Sequence, residues 1–353
     1  MRGRLAVQHS PSLQSTSPTL LIPSPLSAAS RKKRAPGPLR REEGPASGKS
    51  RELADGPSTG GAPGGGLGWG GSGAGNPRDL VGGRTLGEEA RAGGKILLRR
   101  EGGVATLTLN HPEKLNAIEL EMWGELARVM PELDGDPSVR VLVFRGAGER
   151  AFSAGADISR FAEERSNARQ AAAYAQRFFA GLDAVDAFSK PSLCLIRGAC
   201  VGGGAELAAA ADLRFAGEGS RFGVPVAKLG LVAGYAELRR FVQSIGPART
   251  LDMLLTARLF SAGEMLEAGF LARVVPDEEV ERAAYEAAER IASLAPLVHA
   301  WHKGFVKKIL RDPALSALTE EESARQFACF DTGDFREGVA AFLAKRPPKF
   351  QGR

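Results

Sequence analysis

The chain has 353 residues, of which 43% are hydrophobic and 25% are charged, a composition typical of a globular protein. Its net charge of +6 is uneven, because residues 1–50 carry nine basic and two acidic side chains whereas residues 51–353 carry 38 basic and 39 acidic ones. A near-neutral body argues against a nucleic-acid-binding domain. No apolar run is long enough for a transmembrane helix or a secretory signal, so we expect no membrane partner. Three cysteines without a CxxC pattern suit a reducing compartment, and we expect a cytoplasmic protein.

Residues 1–94 do not show the pattern of a folded domain. Ten of the sixteen residues at positions 60–75 are glycine, and the preceding stretch is rich in serine and proline. Such a composition buries too little apolar surface to offset the entropy lost on ordering. We therefore expect a disordered, low-complexity tail before a domain over residues 95–353; a wrongly assigned translation start would give the same pattern.

Other interpretations of the tail stay open. It is rich in arginine and serine and poor in acids, as transit peptides to the mitochondrial matrix are, although four prolines at positions 11–25 interrupt any amphipathic helix. The basic run at 31–34 could contact a polyanion. Positions 68–73 match GxGxxG, and positions 44–50 fall one residue short of a P-loop, but neither follows a predicted strand, as both sites require.

Regular patterns begin near Lys95. Residues 95–110 predict two strands around a turn at Glu101, Gly102 and Gly103. Further along, the apolar spacing predicts a helix over 119–133, a strand over 139–144, a helix over 168–188, a strand over 192–197, a helix from the glycines at 202–204 to about 211, and a strand over 213–216. Strands alternating with helices predict one α/β domain, whose final third is mostly helical.

Two segments place small residues where a strand is predicted to end and a helix to begin, namely residues 151–158 (AFSAGADI) and residues 190–213. At a helix start several backbone N–H groups lack partners, and small side chains let a ligand approach the backbone closely. Two such junctions facing each other would supply two N–H donors to one oxygen, which is an oxyanion hole. The alternative is a tight connection in which the glycines serve only packing.

Glu206 points to a site rather than to packing alone. It lies one turn inside the predicted helix, among Ala205, Leu207 and a run of alanines. Burial among apolar side chains raises the pKa of a carboxyl group toward values that suit proton transfer. The alternative is that Glu206 caps nearby N–H groups.

These segments resemble the enoyl-CoA hydratase/isomerase (crotonase) family over roughly residues 95–350. The resemblance rests on an ordered set of motifs, which is more specific than any one of them: HPEKLNAI (111–118), AFSAGADI (151–158), KPSLCLIRGACVGGGAELAAAADLRFA (190–216), SRFGVP (220–225), KLGL (228–231), GPART (246–250) and FREGVAAFLAKRPPKF (335–350).

The resemblance implies a spiral of ββα units with a C-terminal helical region that mediates assembly into a homotrimer or hexamer. It implies an acyl-CoA thioester substrate, whose carbonyl would accept hydrogen bonds from the N–H groups of Ala156 and Gly203, with Glu206 as the catalytic acid or base. Phe342 and Lys345 match positions that contact CoA, often across a subunit boundary. Because the enolate is held electrostatically, no metal or redox cofactor is expected, and CoA is part of the substrate.

The chain departs from the family where hydratases carry a second glutamate, because Val226 stands at that position. Hydration normally uses two carboxylates to hold and activate one water. Tyr235 or Glu237 could supply a replacement, although a glutamate in a first helical turn is also a common surface charge. Hydration of 2-enoyl-CoA is the expected activity, while isomerisation, decarboxylation and acyl-CoA binding without catalysis stay open.

The remaining candidates have structural explanations. We expect His299 and His302 to be packing or surface groups, Asp157 to cap the helix that follows it, and Cys200 to be a small buried packing residue. Ser153 lacks the flanking glycines of a nucleophile elbow. The acyl-chain preference should depend on the loops around four aromatic residues, Phe161, Phe178, Phe179 and Tyr235.

Overall fold

The computed structural model describes residues 87–353 and, before them, the backbone of Leu80–Val81 (β1) and Arg84–Thr85 (β2), which form a short antiparallel pair. The motifs predicted at 31–34, 44–50 and 68–73 lie outside the described residues, as does most of the predicted tail.

Strands and helices alternate along the described chain, as the sequence predicts. The further strands are β3 (Glu89–Arg91), β4 (Ile96–Glu101), β5 (Val104–Leu109), β6 (Val141–Gly146), β7 (Ala151–Ser153), β8 (Ser192–Ile196), β9 (Ala199–Val201), β10 (Leu213–Gly217), β11 (Arg221–Gly223), β12 (Phe260–Ser261) and β13 (Arg273–Val275). The helices are α1 (Leu120–Gly135), α2 (Phe161–Glu164), α3 (Ala168–Ala187), α4 (Gly203–Ala210), α5 (Tyr235–Thr256), α6 (Ala262–Glu267), α7 (Val280–Ser293), α8 (Pro296–Arg311), α9 (Glu320–Ala324) and α10 (Gly333–Leu343).

The larger sheet has the strand order β13-β10-β8-β6-β5-β4-β3. The predicted hairpin is confirmed, because β4 and β5 pair antiparallel around Gly102 and Gly103, whose φ values of +58° and +87° suit a tight hairpin turn. β3 pairs with β4 and lies before the predicted domain start at residue 95. The paired sheet therefore extends at least six residues further toward the N-terminus than expected.

The chain alternates between this sheet and a smaller one with the order β12-β11-β9-β7. β6 is followed by β7 and then by α2 and α3, while β8 is followed by β9 and then by α4. Within each sheet β6 pairs parallel with β8, and β7 pairs parallel with β9. These repeated ββα turns confirm the predicted α/β spiral and bring the ends of β7 and β9 together.

Both faces of the central strands of the large sheet, β5, β6 and β8, are buried. On β6, Val141 and Val143 pack toward α7, whereas Leu142 and Phe144 point into the main core with Trp123 of α1. Successive residues of a strand point to opposite faces, so a strand covered on both sides is apolar throughout. The strand predicted over 139–144 starts two residues later, because the Val139 N–H instead closes a turn onto the Asp136 carbonyl.

Candidate functional site

The first wall of the site is the chain that leaves β7. Gly155 has a φ of +94°, and its carbonyl accepts a 2.7 Å hydrogen bond from the Ile118 N–H. A Cβ at Gly155 would lie 2.8 Å from the Val201 carbonyl oxygen and 3.2 Å from the Gly203 nitrogen. Only glycine fits this conformation and this approach without strain, so the glycine positions the next residue, Ala156, against the start of α4.

The second wall is the junction between β9 and α4. Gly202 precedes the helix with a φ of +52°, and its N–H donates to the Gly223 carbonyl. A Cβ at Gly204 would lie 2.7 Å from the Ser153 Cβ, so the helix packs directly on β7. The packing explanation of the glycines is therefore correct for Gly204, but it does not account for Gly203.

Gly203 and Ala156 bring two backbone donors to one place. A Cβ at Gly203 would lie 3.9 Å from the Ala156 nitrogen and 3.3 Å from the Trp123 ring. Neither the Ala156 nor the Gly203 N–H donates a hydrogen bond to another residue within 87–353. Two free donors at facing junctions are the arrangement that an oxyanion hole requires.

Glu206 lies one turn further along α4 and is only 5% exposed. Burial, followed by the negative charge of Glu237, raises its pKa from an ordinary 4.5 to about 8. Its carboxyl group has no hydrogen-bond partner within the described residues, so the alternative role as a cap is not seen. A protonated carboxyl group beside two free N–H groups can donate a proton to a substrate.

Glu206, Ala156 and Gly203 line one cavity of about 500 Å³. Its other walls come from α3, from α2 and the residue that follows it, and from the segment between β11 and α5 with the first turn of α5, and they are mostly apolar. The predicted aromatic residues Phe161, Phe178 and Phe179 all contribute. A largely apolar pocket with a few polar groups is the usual form of a small-molecule site.

Glu237 brings a second carboxylate to the same cavity, where Val226 also lies. It occupies the first turn of α5, is half-buried, and accepts a hydrogen bond from the Gly234 N–H. Burial raises its pKa, while that hydrogen bond and the charges of Arg165 and Arg240 lower it. Of the two predicted replacements Glu237 therefore lines the cavity, whereas Tyr235, whose side chain is 94% exposed, does not.

Arg165 is a cavity residue that the sequence analysis missed. It follows α2, and its guanidinium carbon lies 3.5 Å from the Tyr174 ring centroid and 4.2 Å from that of Phe161. In the sequence it stands in a charged stretch, FAEERS, that reads as a solvent-exposed surface. Only the packing of that stretch against α3 brings the arginine into the cavity.

The two predicted CoA contacts lie elsewhere on the chain. Phe342 is 83% exposed at the end of α10, and Lys345 follows it on the surface. Neither lines the cavity that holds Glu206. Their assignment to CoA stays a prediction.

Asp157 and Cys200 have the structural roles expected for them. The Asp157 side chain caps the helical turn that follows by accepting from the Ser159 N–H at 3.0 Å. Burial raises the pKa of the Cys200 thiol well above its usual range. The described residues contain no group of three His, Cys, Asp or Glu side chains able to hold a metal ion. Ser153 is buried and accepts from the Gly155 N–H, and His299 and His302 lie together on α8.

Among the described helices, none has the length and apolar character needed to cross a membrane.

Comparison with known proteins shows the family of this chain. A sequence profile of the enoyl-CoA hydratase/isomerase family matches residues 99–353. A probable enoyl-CoA hydratase of Mycobacterium bovis is 33% identical over 258 residues, covering 73% of this chain and 98% of the relative. A short-chain-enoyl-CoA hydratase of Clostridium acetobutylicum is 32% identical, covering 71% and 95%.

Solved structures give the same result. The crystal structure of an enoyl-CoA hydratase/carnithine racemase from Magnetospirillum magneticum is 40% identical, with a TM-score of 0.72, covering 76% of this chain and 98% of the other. An enoyl-CoA hydratase from Bacillus anthracis is 30% identical, with a TM-score of 0.69, covering 73% and 100%. The profile match, the identity and the shared fold together establish that this chain belongs to the enoyl-CoA hydratase/isomerase family.

Proposed function

We propose that this protein hydrates 2-enoyl-CoA thioesters with Glu206 and Glu237 as its two carboxyl groups. The observation that carries the proposal is that both glutamates and the free N–H groups of Ala156 and Gly203 line one cavity. Relatives that bear the name enoyl-CoA hydratase, at about 33% identity, support this activity. Glu237 would take the place of the glutamate that Val226 replaces.

In this proposal the thioester carbonyl oxygen accepts hydrogen bonds from the Ala156 and Gly203 N–H groups. Negative charge grows on that oxygen as a nucleophile adds to Cβ, so both bonds strengthen in the transition state. Each donor of this kind is worth about 3 kcal/mol. The enolate is then stabilised by the protein's own backbone.

The two carboxyl groups would share the proton transfers. Since burial, followed by the charge of Glu237, raises the pKa of Glu206 to about 8, the pair holds a proton on Glu206 at neutral pH. Glu237 accepts a proton from water while the oxygen bonds to Cβ, and Glu206 donates a proton to Cα as the enolate collapses. The water has then supplied hydroxide to Cβ, and one proton has moved from Glu206 to Cα.

Double-bond isomerisation is a second candidate, and Val226 favours it. Moving a proton between two carbons of an enolate needs one carboxyl group, whereas hydration needs a held and activated water as well. The oxyanion donors would act in the same way in both reactions.

Turnover in heavy-oxygen water separates the candidates. The purified full-length chain is incubated with 2-enoyl-CoA and 3-enoyl-CoA thioesters of several lengths, and intact CoA products are weighed by mass spectrometry. We expect a 3-hydroxyacyl-CoA that carries the heavy oxygen. An unlabelled product with a shifted double bond would show that the protein is an isomerase and not a hydratase. Binding of CoA thioesters without any product would contradict both activities and would indicate a non-catalytic acyl-CoA binder.

We also propose that the protein assembles as a homotrimer or hexamer through its C-terminal helices. Several apolar side chains of this region are exposed, among them Phe327, Phe330, Phe342 and Leu343. Exposed apolar clusters of this kind mark association surfaces. Analytical ultracentrifugation should give the mass of three or six chains. The double variant Phe342→Ala, Lys345→Ala should bind CoA more weakly than wild type. A monomeric wild-type protein, together with unchanged CoA affinity in the double variant, would contradict this proposal.

A further inference from the structure

The cavity contains a positive charge that the proposed reaction does not use. Arg165 is the one basic residue among the described residues that line it. Its charge acts on Glu206 and Glu237, yet it forms no ion pair with either of them or with any other described residue, and its Nε atom is buried without a partner. The nearby Glu164 instead pairs with Arg160 at 2.8 Å.

The surroundings of Arg165 hold its guanidinium in place without neutralising it. The Phe161 and Tyr174 rings stack on the group, which stabilises a cation and fixes its plane. Burial raises the pKa of the Tyr174 hydroxyl, and the positive charge of the Arg165 guanidinium partly opposes that rise. A fixed guanidinium in an apolar pocket is costly until an anion pairs with it, and its planar fork matches a carboxylate.

Arg165 lines a different wall from the oxyanion donors. It comes from the segment between α2 and α3, whereas Ala156 and Gly203 come from the ends of β7 and β9. A thioester bound at the oxyanion donors would place its acyl chain in the same mostly apolar cavity as the arginine. A chain ending in a methyl group would bury the guanidinium unpaired, and a chain ending in a carboxylate would pair with it.

We infer that Arg165 recognises a carboxylate on the acyl chain, so that the preferred substrates are CoA thioesters of dicarboxylic acids. This inference rests on the proposed function for the place of the thioester, and it adds the substrate class. The two cavity glutamates do not oppose it strongly, because Glu206 is protonated at neutral pH and Glu237 is held by the Gly234 N–H.

Calorimetric binding tests the inference without requiring turnover. Dissociation constants of the full-length chain are measured for succinyl-, glutaryl- and adipyl-CoA and for the neutral acyl-CoA of the same carbon number. We expect the carboxylate to be preferred about tenfold at one length or more, which corresponds to one charge-assisted hydrogen-bonded pair. Equal affinity at every length, or a preference for the neutral chains, would overturn the inference.

Substitution assigns the preference to the arginine. Arg165→Met should reduce the ratio of the two dissociation constants about tenfold, and Arg165→Lys should keep part of it, because it keeps the charge but not the fork. Arg169→Met removes an exposed arginine four residues away, outside the cavity, and serves as the matched control. If Arg165→Met kept the wild-type ratio of dissociation constants, the inference would be overturned. If Arg165→Met does not fold, the ratio measured for Arg165→Lys still tests the inference.

The turnover experiment keeps this result separate from the proposed function. If neutral and carboxylated enoyl-CoA were hydrated with equal kcat/KM, the proposed reaction would stand and the proposed substrate class would be wrong. If dicarboxylic acyl-CoA bound in an Arg165-dependent way but was not hydrated, the proposed substrate class would stand and the proposed hydration would be wrong.

Discussion

The first turns of α4 and α5 are built alike but treat their glutamates differently. Both helices follow a glycine, Gly202 or Gly234, that provides no capping side chain. Glu237 is the third residue of α5 and reaches back to the N–H of Gly234, whereas Glu206 is the fourth residue of α4 and finds no such donor. A carboxylate at the third position is placed to satisfy a free N–H at the helix start.

The pKa values of both glutamates are raised, and this difference of one residue gives Glu237 alone a hydrogen bond that opposes the rise. The Gly234 N–H favours the anionic form of Glu237 and opposes the effect of burial. Burial and the negative charge of Glu237 both raise the pKa of Glu206, and together they outweigh the positive charges of Arg165 and Arg240, which lower it. Environment can thus give two identical side chains different protonation states in one cavity.

Removing the α4 carboxyl group should have the largest effect. We expect Glu206→Gln to lower kcat by about a thousandfold, since it removes the acid while keeping the shape of the side chain. Stopped-flow assay of 2-enoyl-CoA measures this. Glu267→Gln, on the exposed face of α6, is the control and should retain wild-type turnover; a Glu206→Gln protein with full turnover would remove Glu206 from the mechanism.

The same substitution should change stability in a pH-dependent way. The folded-state pKa of Glu206, about 8, exceeds its ordinary value of 4.5, so folding favours the protonated form. Stability from this group is complete below about pH 4.5 and is lost as the pH rises to about 8. In urea unfolding, the free energy of unfolding of Glu206→Gln should therefore exceed that of wild type by about 5 kcal/mol at about pH 9, with no gain at about pH 4. A gain that is the same at both pH values would contradict the raised pKa.

Removing the α5 carboxylate should have a smaller effect on the rate and should shift the pH profile. We expect Glu237→Gln to lower kcat about a hundredfold, because water can still add without a base. The profile of wild-type kcat/KM should fall at alkaline pH as Glu206 loses its proton, and without the charge of Glu237 this fall should move to lower pH. A pH profile that does not move would mean that the two groups are not coupled.

Moving the second carboxylate back to the usual hydratase position should have the smallest effect. In a Glu237→Gln background, Val226→Glu should recover about tenfold in kcat, because Val226 lines the same cavity. Val226→Gln in that background is the control, since it has the same size and no charge. Equal rates for the two double variants would show that a carboxylate cannot act from position 226.

The sequence predicted the strands and helices that carry the site, because their apolar periodicity and glycines are local signals. It failed at Val139, whose N–H forms a turn hydrogen bond instead of joining the strand. It also failed at the start of the sheet, where β3 pairs with β4 and Arg91 forms ion pairs with Glu125 and Glu132 of α1, contacts that no local pattern specifies. It also grouped Tyr235 with Glu237, although residues two positions apart on a helix point in different directions.

By itself, the sequence determined the fold class, the small-residue junctions at residues 151–158 and 202–204, and the apolar surroundings of Glu206. These follow from residue size and polarity along short stretches of chain. Only the tertiary structure decided that Ala156 faces Gly203, that Glu237 rather than Tyr235 joins Glu206, and that Arg165 enters the cavity. These groups lie on separate elements, and no local pattern specifies the packing that brings them together.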